Sequence, residues 1–245
     1  MRVEIWSDIA CPWCYVGKAR FEKGLAAFAH GDEVEVVHRS FELDPGRDKA
    51  DIVPVAEMLA TRYGRTPEEV LAIEETIAAS ARSEGLDYRA EGRDSGSTFD
   101  IHRVLHYATS QGRGEEMLNG AYRANFAEER SVFAEETLVA VAVEAGLDEV
   151  EVRKVLADPV AYADDVRADE REAAELGANA VPFFVLDRKY GVSGGQPAEV
   201  FTQALEQAWE ARTLPQITTV GGSGHDAAVC DTDGSCAIPH AGAHT

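Results

Sequence analysis

A chain of 245 residues, 45% of them hydrophobic, has enough apolar material for one sizeable core, or for a core and an inserted lobe, without help from disulfides. Its formal net charge of −21 opposes binding to nucleic acid or to anionic membranes, which rests on clustered Lys and Arg, and reads as a solubility device. Four cysteines are too few for a secreted disulfide scaffold, Glu, Asp and Arg interrupt every stretch that might span a bilayer, and "MRVEIW" carries no signal-peptide pattern, so the expected address is the cytoplasm.

The apolar run Val3, Ile5, Ile9 predicts a first strand that ends at Cys11-Pro12. Cys14, Phe21, Leu25 and Phe28 then fall on one face of a helix. "DEVEVVHRSFEL", rich in β-branched residues and bounded by Gly31 and Pro45-Gly46, predicts a second strand. Strand, helix and strand in so short a space predict a parallel unit with a right-handed crossover.

From about Pro54 to Leu176 the chain becomes helical in propensity. "PVAEMLATRYG", "PEEVLAIEETIAASARSEG", "TFDIHRVLHYATSQG", "EEMLNGAYRANFAEE", "AEETLVAVAVEAG" and "DEVEVRKVLADP" are punctuated by Gly or Pro, while "YRAEGRDSGST" reads as a loop within this lobe. Strand character returns in "VPFFVLDRKYGVSG" as a hairpin about Asp187-Arg188. "QPAEVFTQALEQAWEAR" closes with a helix whose stripe is Phe201, Leu205, Ala208 and Trp209, with Pro197 suited to its first turn. The order predicts an α/β protein with a discontinuous domain, 1–48 and 177–212, an inserted helical domain, 49–176, and a flexible C-terminal tail, 213–245, that holds Cys230 and Cys236.

A thiol just before a helix sits where backbone N–H groups and the helix dipole favour negative charge, and Cys11 fits that place with Pro12 at the first helical position. Cys14, on the apolar face, is expected to be the shielded thiol and Cys11 the exposed one of low pKa, the asymmetry that attack and resolution in a dithiol couple require. A zinc site would need Cys230 and Cys236 as further ligands, but a tail pair and a strand-to-helix pair make poor partners, so no metal is expected. His102 and His106, one helical turn apart, make a weak metal site on their own. A structural Cys11–Cys14 disulfide would close too small a loop to stabilise the chain much.

"VEIWSDIACPWCYVGKARFEK", "AVPFFVLDRKYGVSGGQP" and the helices between them resemble the DsbA-type thioredoxin-fold proteins, most closely the FrnE-like branch of dithiol oxidoreductases, over residues 1 to 212. The resemblance implies a thioredoxin fold with a large inserted helical domain, and a cis Val181-Pro182 peptide against Cys11. It implies no cofactor. In that geometry the backbone of Val181 would pair with an extended substrate segment. DsbA has a histidine between its cysteines; Pro12-Trp13 stands there in this chain, so a weaker oxidant is expected, with Trp13 as an apolar wall for substrate. "CDTDGSC" resembles the tail pair of the FrnE-like branch, which makes Cys230 and Cys236 candidates for a secondary redox pair.

Asp8 and Glu4 are candidates for proton transfer to or from Cys14. "STFDIHR" resembles a segment that faces the cleft in related proteins, which makes His102 and Arg103 candidate substrate contacts. The expected function is thiol–disulfide oxidoreductase or isomerase on protein or small-molecule disulfides, with a disulfide- or thiol-containing partner, glutathione among the candidates. The fold also resembles kappa-class glutathione transferases and 2-hydroxychromene-2-carboxylate isomerases, which typically carry serine where Cys11 stands. A chaperone-like binding module is the non-catalytic alternative.

Overall fold

The computed structural model describes residues 1–128 and 130–213 and two short strands at 229–230 and 236–237, with side chains described through 212. In chain order, β1 (Arg2–Ser7), α1 (Pro12–Ala27) and β2 (Glu35–Ser40) come first. A two-residue ladder, β3 (Val53–Pro54) with β4 (Asp94–Ser95), brackets α2 (Val55–Tyr63) and α3 (Pro67–Ser83). The helices α4 (Phe99–Ser110), α5 (Gly114–Phe126), α6 (Glu135–Glu144), α7 (Glu149–Ala157) and α8 (Ala163–Glu175) follow. The hairpin β5 (Phe183–Leu186) and β6 (Tyr190–Ser193) leads to α9 (Ala198–Thr213), and β7 (Val229–Cys230) pairs with β8 (Cys236–Ala237). Met1–Ala211 forms one unit and Arg212–Thr245 a second. The segments predicted as strands and helices before residue 213 each fall on one of these elements; the expected flexibility of 213–245 lies outside the described residues.

The main sheet has the order β2-β1-β5-β6. β1 runs parallel to β2, with Val3 opposite Val36, and antiparallel to β5, with Ile5 opposite Phe184. Alternation along β1 divides the interior in two. Val3 and Ile5 pack with Phe21 and Phe28 of α1, Phe184 of β5 and Phe201 of α9. Phe184 meets Phe201 edge-on at 4.5 Å between ring centres. Trp6 faces the other way, into a larger cluster that it shares with Ile9, Cys11, Cys14 and residues of α3 to α8. Cys14 thus belongs to the cluster of the helices and not, as its spacing predicts, to the stripe of Phe21 and Phe28, because the first turn of α1 lies under the helices.

Periodicity does not mark α8. Most of its residues are charged or alanine, and its buried side is only Val166, Asp169 and Ala173. Asp169 supplies what apolar contact does not. Its carboxylate accepts the Ser40 N–H at 2.9 Å, pairs with Arg39 at 3.0 Å and stands 3.1 Å from His106 Nε2, while its carbonyl accepts the Trp6 indole N–H at 2.8 Å. Arg39 also pairs with Glu4 at 2.7 Å, and Arg188 in the hairpin turn binds the same carboxylate. Burial pushes the Glu4 carboxyl up, but the bonds from Arg39 and Arg188 outweigh it and hold the group below its ordinary range. No described helix is long and apolar enough to cross a membrane.

Helices α1 and α9 approach closely at Gly24. A Cβ there would lie 2.6 Å from the Ala198 carbonyl oxygen and 2.8 Å from Phe201 Cβ. Gly24→Ala is therefore expected to destabilise the protein by about 1–3 kcal/mol, read as a lower urea midpoint; an unchanged midpoint would mean that the two helices separate without cost.

Candidate dithiol site

Cys11 is the residue that caps α1, in extended conformation (φ −88°, ψ 113°), and Pro12 opens the helix. The N–H groups of Cys14 and Tyr15 donate to its carbonyl at 3.1 and 3.4 Å, and its own N–H donates to the Asp8 carbonyl at 3.1 Å. Its thiol lies 3.7 Å from the carbonyl oxygen of Val181, and Val181-Pro182 is a cis peptide. The loop after β6 completes this contact. Gly194, at φ 79°, donates its N–H to the Pro182 carbonyl at 2.8 Å. A Cβ on Gly17 would lie 2.9 Å from Pro182 Cγ, and one on Gly195 would lie 3.2 Å from Gly17 Cα. "SGGQP" and Gly17 are thus glycines of close approach, which let the hairpin end press on the thiol helix.

The two thiols are polarised in opposite directions. The Cys14 thiol donates to Cys11 and, with the N–H groups of Cys14 and Trp13, lowers the Cys11 pKa against burial and the charge of Asp8. Burial first, and then this bond and the charge of Cys11, push the Cys14 thiol well above its ordinary value. The expectation that Cys11 is exposed is corrected: it is only 6% exposed, roofed by Val181 and packed in the cluster of the helices. The asymmetry comes from the hydrogen bond that Cys11 receives and from the burial of Cys14. Trp13, 39% exposed, is the large apolar surface beside the thiols.

Asp8 is buried beside the couple, and its charge reaches both thiols. Its carboxylate accepts the N–H of Leu43 at 2.7 Å and that of Ala10 at 3.3 Å, and stands 3.4 Å from His102 Nε2. Glu4 is placed elsewhere, in the grip of Arg39 and Arg188. His102 and Arg103 are both buried; His102 borders a cavity of about 340 Å³, whereas Arg103 lines none of the cavities described. Arg103 is fully enclosed: it binds Asp100 at 2.6 Å and the carbonyls of Ala161, Val155 and Asp158, closing the end of α7 where backbone acceptors have no helical partner.

A cavity of about 240 Å³ opens beside Ala10 and Pro12, walled by Leu43, Met58, Leu59 and Ile77 and flanked by Arg62. No local pattern marks Met58 and Leu59 as part of a site, since only the fold carries α2 to the thiols. The register of β7 and β8 sets Cys230 opposite Cys236. The side chains of that pair, and the secondary redox role expected of it, lie outside the described residues.

Residues 2–206 match the family model of the DSBA-like thioredoxin domain, and the chain belongs to that family. It is similar to a probable DsbA oxidoreductase from Streptomyces coelicolor, seen in a crystal structure: 64% identity, TM-score 0.86, with 98% of this chain and 100% of that one covered. The uncharacterized protein YwbO of Bacillus subtilis (strain 168) is 26% identical over 84% of this chain and 96% of its own length. The cytosolic disulfide reductase DsbM from Pseudomonas aeruginosa, at 18% identity, TM-score 0.59 and coverage of 86% of this chain and all of that one, shares the fold. The expected mixed α/β thioredoxin fold is therefore the fold of this chain.

Because the Cys14 thiol is the first cause of the lowered Cys11 pKa, Cys14→Ala should move the Cys11 pKa up toward the ordinary thiol value of about 8.5. Iodoacetamide rates against pH measure it: in the native protein Cys11 stays reactive below that value, losing thiolate only as pH falls through its own pKa, while Cys14 stays slow. A Cys14→Ala profile shifted to lower pH would contradict the assignment.

Proposed function

We propose that the protein is a dithiol–disulfide oxidoreductase of the FrnE-like branch, working on protein or small-molecule disulfides in the cytoplasm. The observation that carries the reading is the opposed polarisation of the two thiols at the start of α1. A sulfur whose pKa is lowered is the better placed of the two to attack, and its neighbour, whose pKa is raised, waits until a mixed disulfide forms.

Cys11 attacks a substrate disulfide, joins one half and releases the other as thiolate. Cys14 then gives up its proton and attacks Cys11, releasing the second half and closing Cys11–Cys14. Run in reverse, the same steps oxidise a dithiol; release before closure gives isomerisation. The backbone of Val181 would align an extended substrate segment beside the couple, with Trp13 covering it. The apolar cavity beside Pro12 would take a side chain next to the reacting sulfur. Glutathione is a candidate small partner. Cys230 and Cys236, opposite one another in a short antiparallel pair, are candidates for an auxiliary couple, and this pair with the C-P-W-C sequence supports the FrnE-like assignment.

Insulin reduction tests the reading. Cys11→Ser should abolish turnover, and Cys14→Ser should accumulate mixed disulfides with substrate that are visible by mass. Full turnover by the Cys11→Ser protein would overturn the mechanism.

A further inference from the structure

The 240 Å³ cavity beside the thiols is apolar over much of its wall, which carries Leu43, Val55, Met58, Leu59, Ile77 and Phe133. Two buried polar residues interrupt that wall. Asn125 of α5 and Thr98, the residue that precedes α4, both border the cavity and are only 3% and 4% exposed.

Asn125 Nδ2 donates to the carbonyl of Ile9 at 2.9 Å, a buried bond that reaches from α5 to the turn leading into Cys11. A carbonyl takes only a donor, so the amide nitrogen is fixed on Ile9 and Oδ1 turns the other way. Among the described residues no donor meets Oδ1, and the Thr98 hydroxyl does not cap α4. Neither oxygen is one of the sealed interior atoms that lack a partner, which leaves the cavity as the place that each one faces. Polar atoms this deep are normally matched, and here the match has to come from what enters the cavity.

The charges on the wall narrow the choice of guest. Arg93 and Glu74 bind one another, and Tyr88 bonds to both. Arg47 donates to the Ser95 hydroxyl and carbonyl at 2.7 and 3.0 Å, and Arg62, half exposed, faces Asp44 at 3.5 Å. Asp8 and Asp94 add two further acids. A carboxylate entering the cavity meets acids and arginines that are already paired, so an anionic side chain gains little there. The guest that fits has an apolar body and one neutral hydrogen-bonding group at its end.

We propose that this cavity is a specificity pocket for the phenol of a tyrosine next to the substrate cysteine, an inference that rests on the dithiol mechanism proposed above and names the peptides it prefers. The ring lies among Leu43, Met58, Leu59 and Ile77, the phenol O–H donates to Asn125 Oδ1, and the phenol oxygen accepts from the Thr98 hydroxyl. One end of the Asn125 amide then holds the guest while the other holds the Ile9 carbonyl, two residues before Cys11. The side chain that places the substrate also steadies the turn that carries the attacking sulfur. Phenylalanine fills the same wall but leaves both oxygens unmatched, the kind of loss by which a site built for a hydroxyl rejects the analogue without one.

Oxidation of the reduced protein by disulfides of short peptides, with Tyr, Phe, Glu or Lys on either side of the cysteine, tests the pocket. The tyrosine peptide should react about three- to tenfold faster than the phenylalanine peptide, and faster than those with Glu or Lys. In Asn125→Leu the ratio of the Tyr to the Phe rate should fall to near one, and Thr98→Val should lower it in the same sense. The ratio is taken within each variant, so any change in the thiols themselves, which both peptides feel alike, cancels. Equal Tyr and Phe rates in the native protein, a Glu or Lys peptide that outruns Tyr, or a Tyr preference that survives in folded Asn125→Leu overturns the pocket. Should Asn125→Leu not fold, Thr98→Val decides on the same ratio: an undiminished preference overturns it. Failure of the reduced protein to react with any of the disulfides would instead remove the dithiol reading itself.

Discussion

A sulfur whose anionic form is favoured within a nearly closed core is the constraint around which this molecule is arranged. Burial of a charge is strongly unfavourable unless donors replace the lost water. At Cys11 they come from the first turn of α1 and from the Cys14 thiol, all within four residues of the chain. Pro12 starts the helix at the position where those N–H groups have no other partner. The hairpin end then closes over the sulfur, and it can do so only because Gly17 and Gly195 leave room for backbone to meet backbone.

Two carboxylates on one short stretch of chain have been given opposite settings. Glu4 is bound by two guanidinium groups and serves as part of a charged joint between the sheet, the hairpin and α8. Such buried ion pairs add little net stability, but losing one partner strands the others, so they favour a single arrangement of the pieces they join. Among the described residues no guanidinium pairs with Asp8. Its charge works against the Cys11 thiolate, and its partners are backbone N–H groups and one imidazole.

The elements that position the thiols were legible because local signals converge on them: a strand pattern that stops at Cys11-Pro12, a helix pattern that follows, and Val-Pro ahead of a hairpin. What escaped was non-local. The acidic α8 lacks an apolar stripe, and its docking through Asp169 depends on Arg39, Ser40 and Trp6 from distant segments. His102 and Arg103 read as cleft residues because they lie in a family-like segment; Arg103 turns inward to satisfy the end of α7, while His102 meets Asp8 and borders a cavity. Cys11 reads as exposed from its helix-cap position alone; the hairpin that roofs it is 170 residues away.

The placement of β1 at the centre of the sheet bears on the order in which the chain can assemble during synthesis. One side of β1 is filled by β2, which leaves the ribosome soon after it, but the other side waits for β5, paired through Trp6 with Phe183 and Val3 with Leu186. Until residue 186 has emerged, that edge of β1 is an open row of peptide groups, and the helices made in the interval are the only cover for Trp6, Ile9 and Cys14. Contacts between such distant segments close slowly. The nascent chain therefore carries its two thiols, without their roof, through most of its own synthesis.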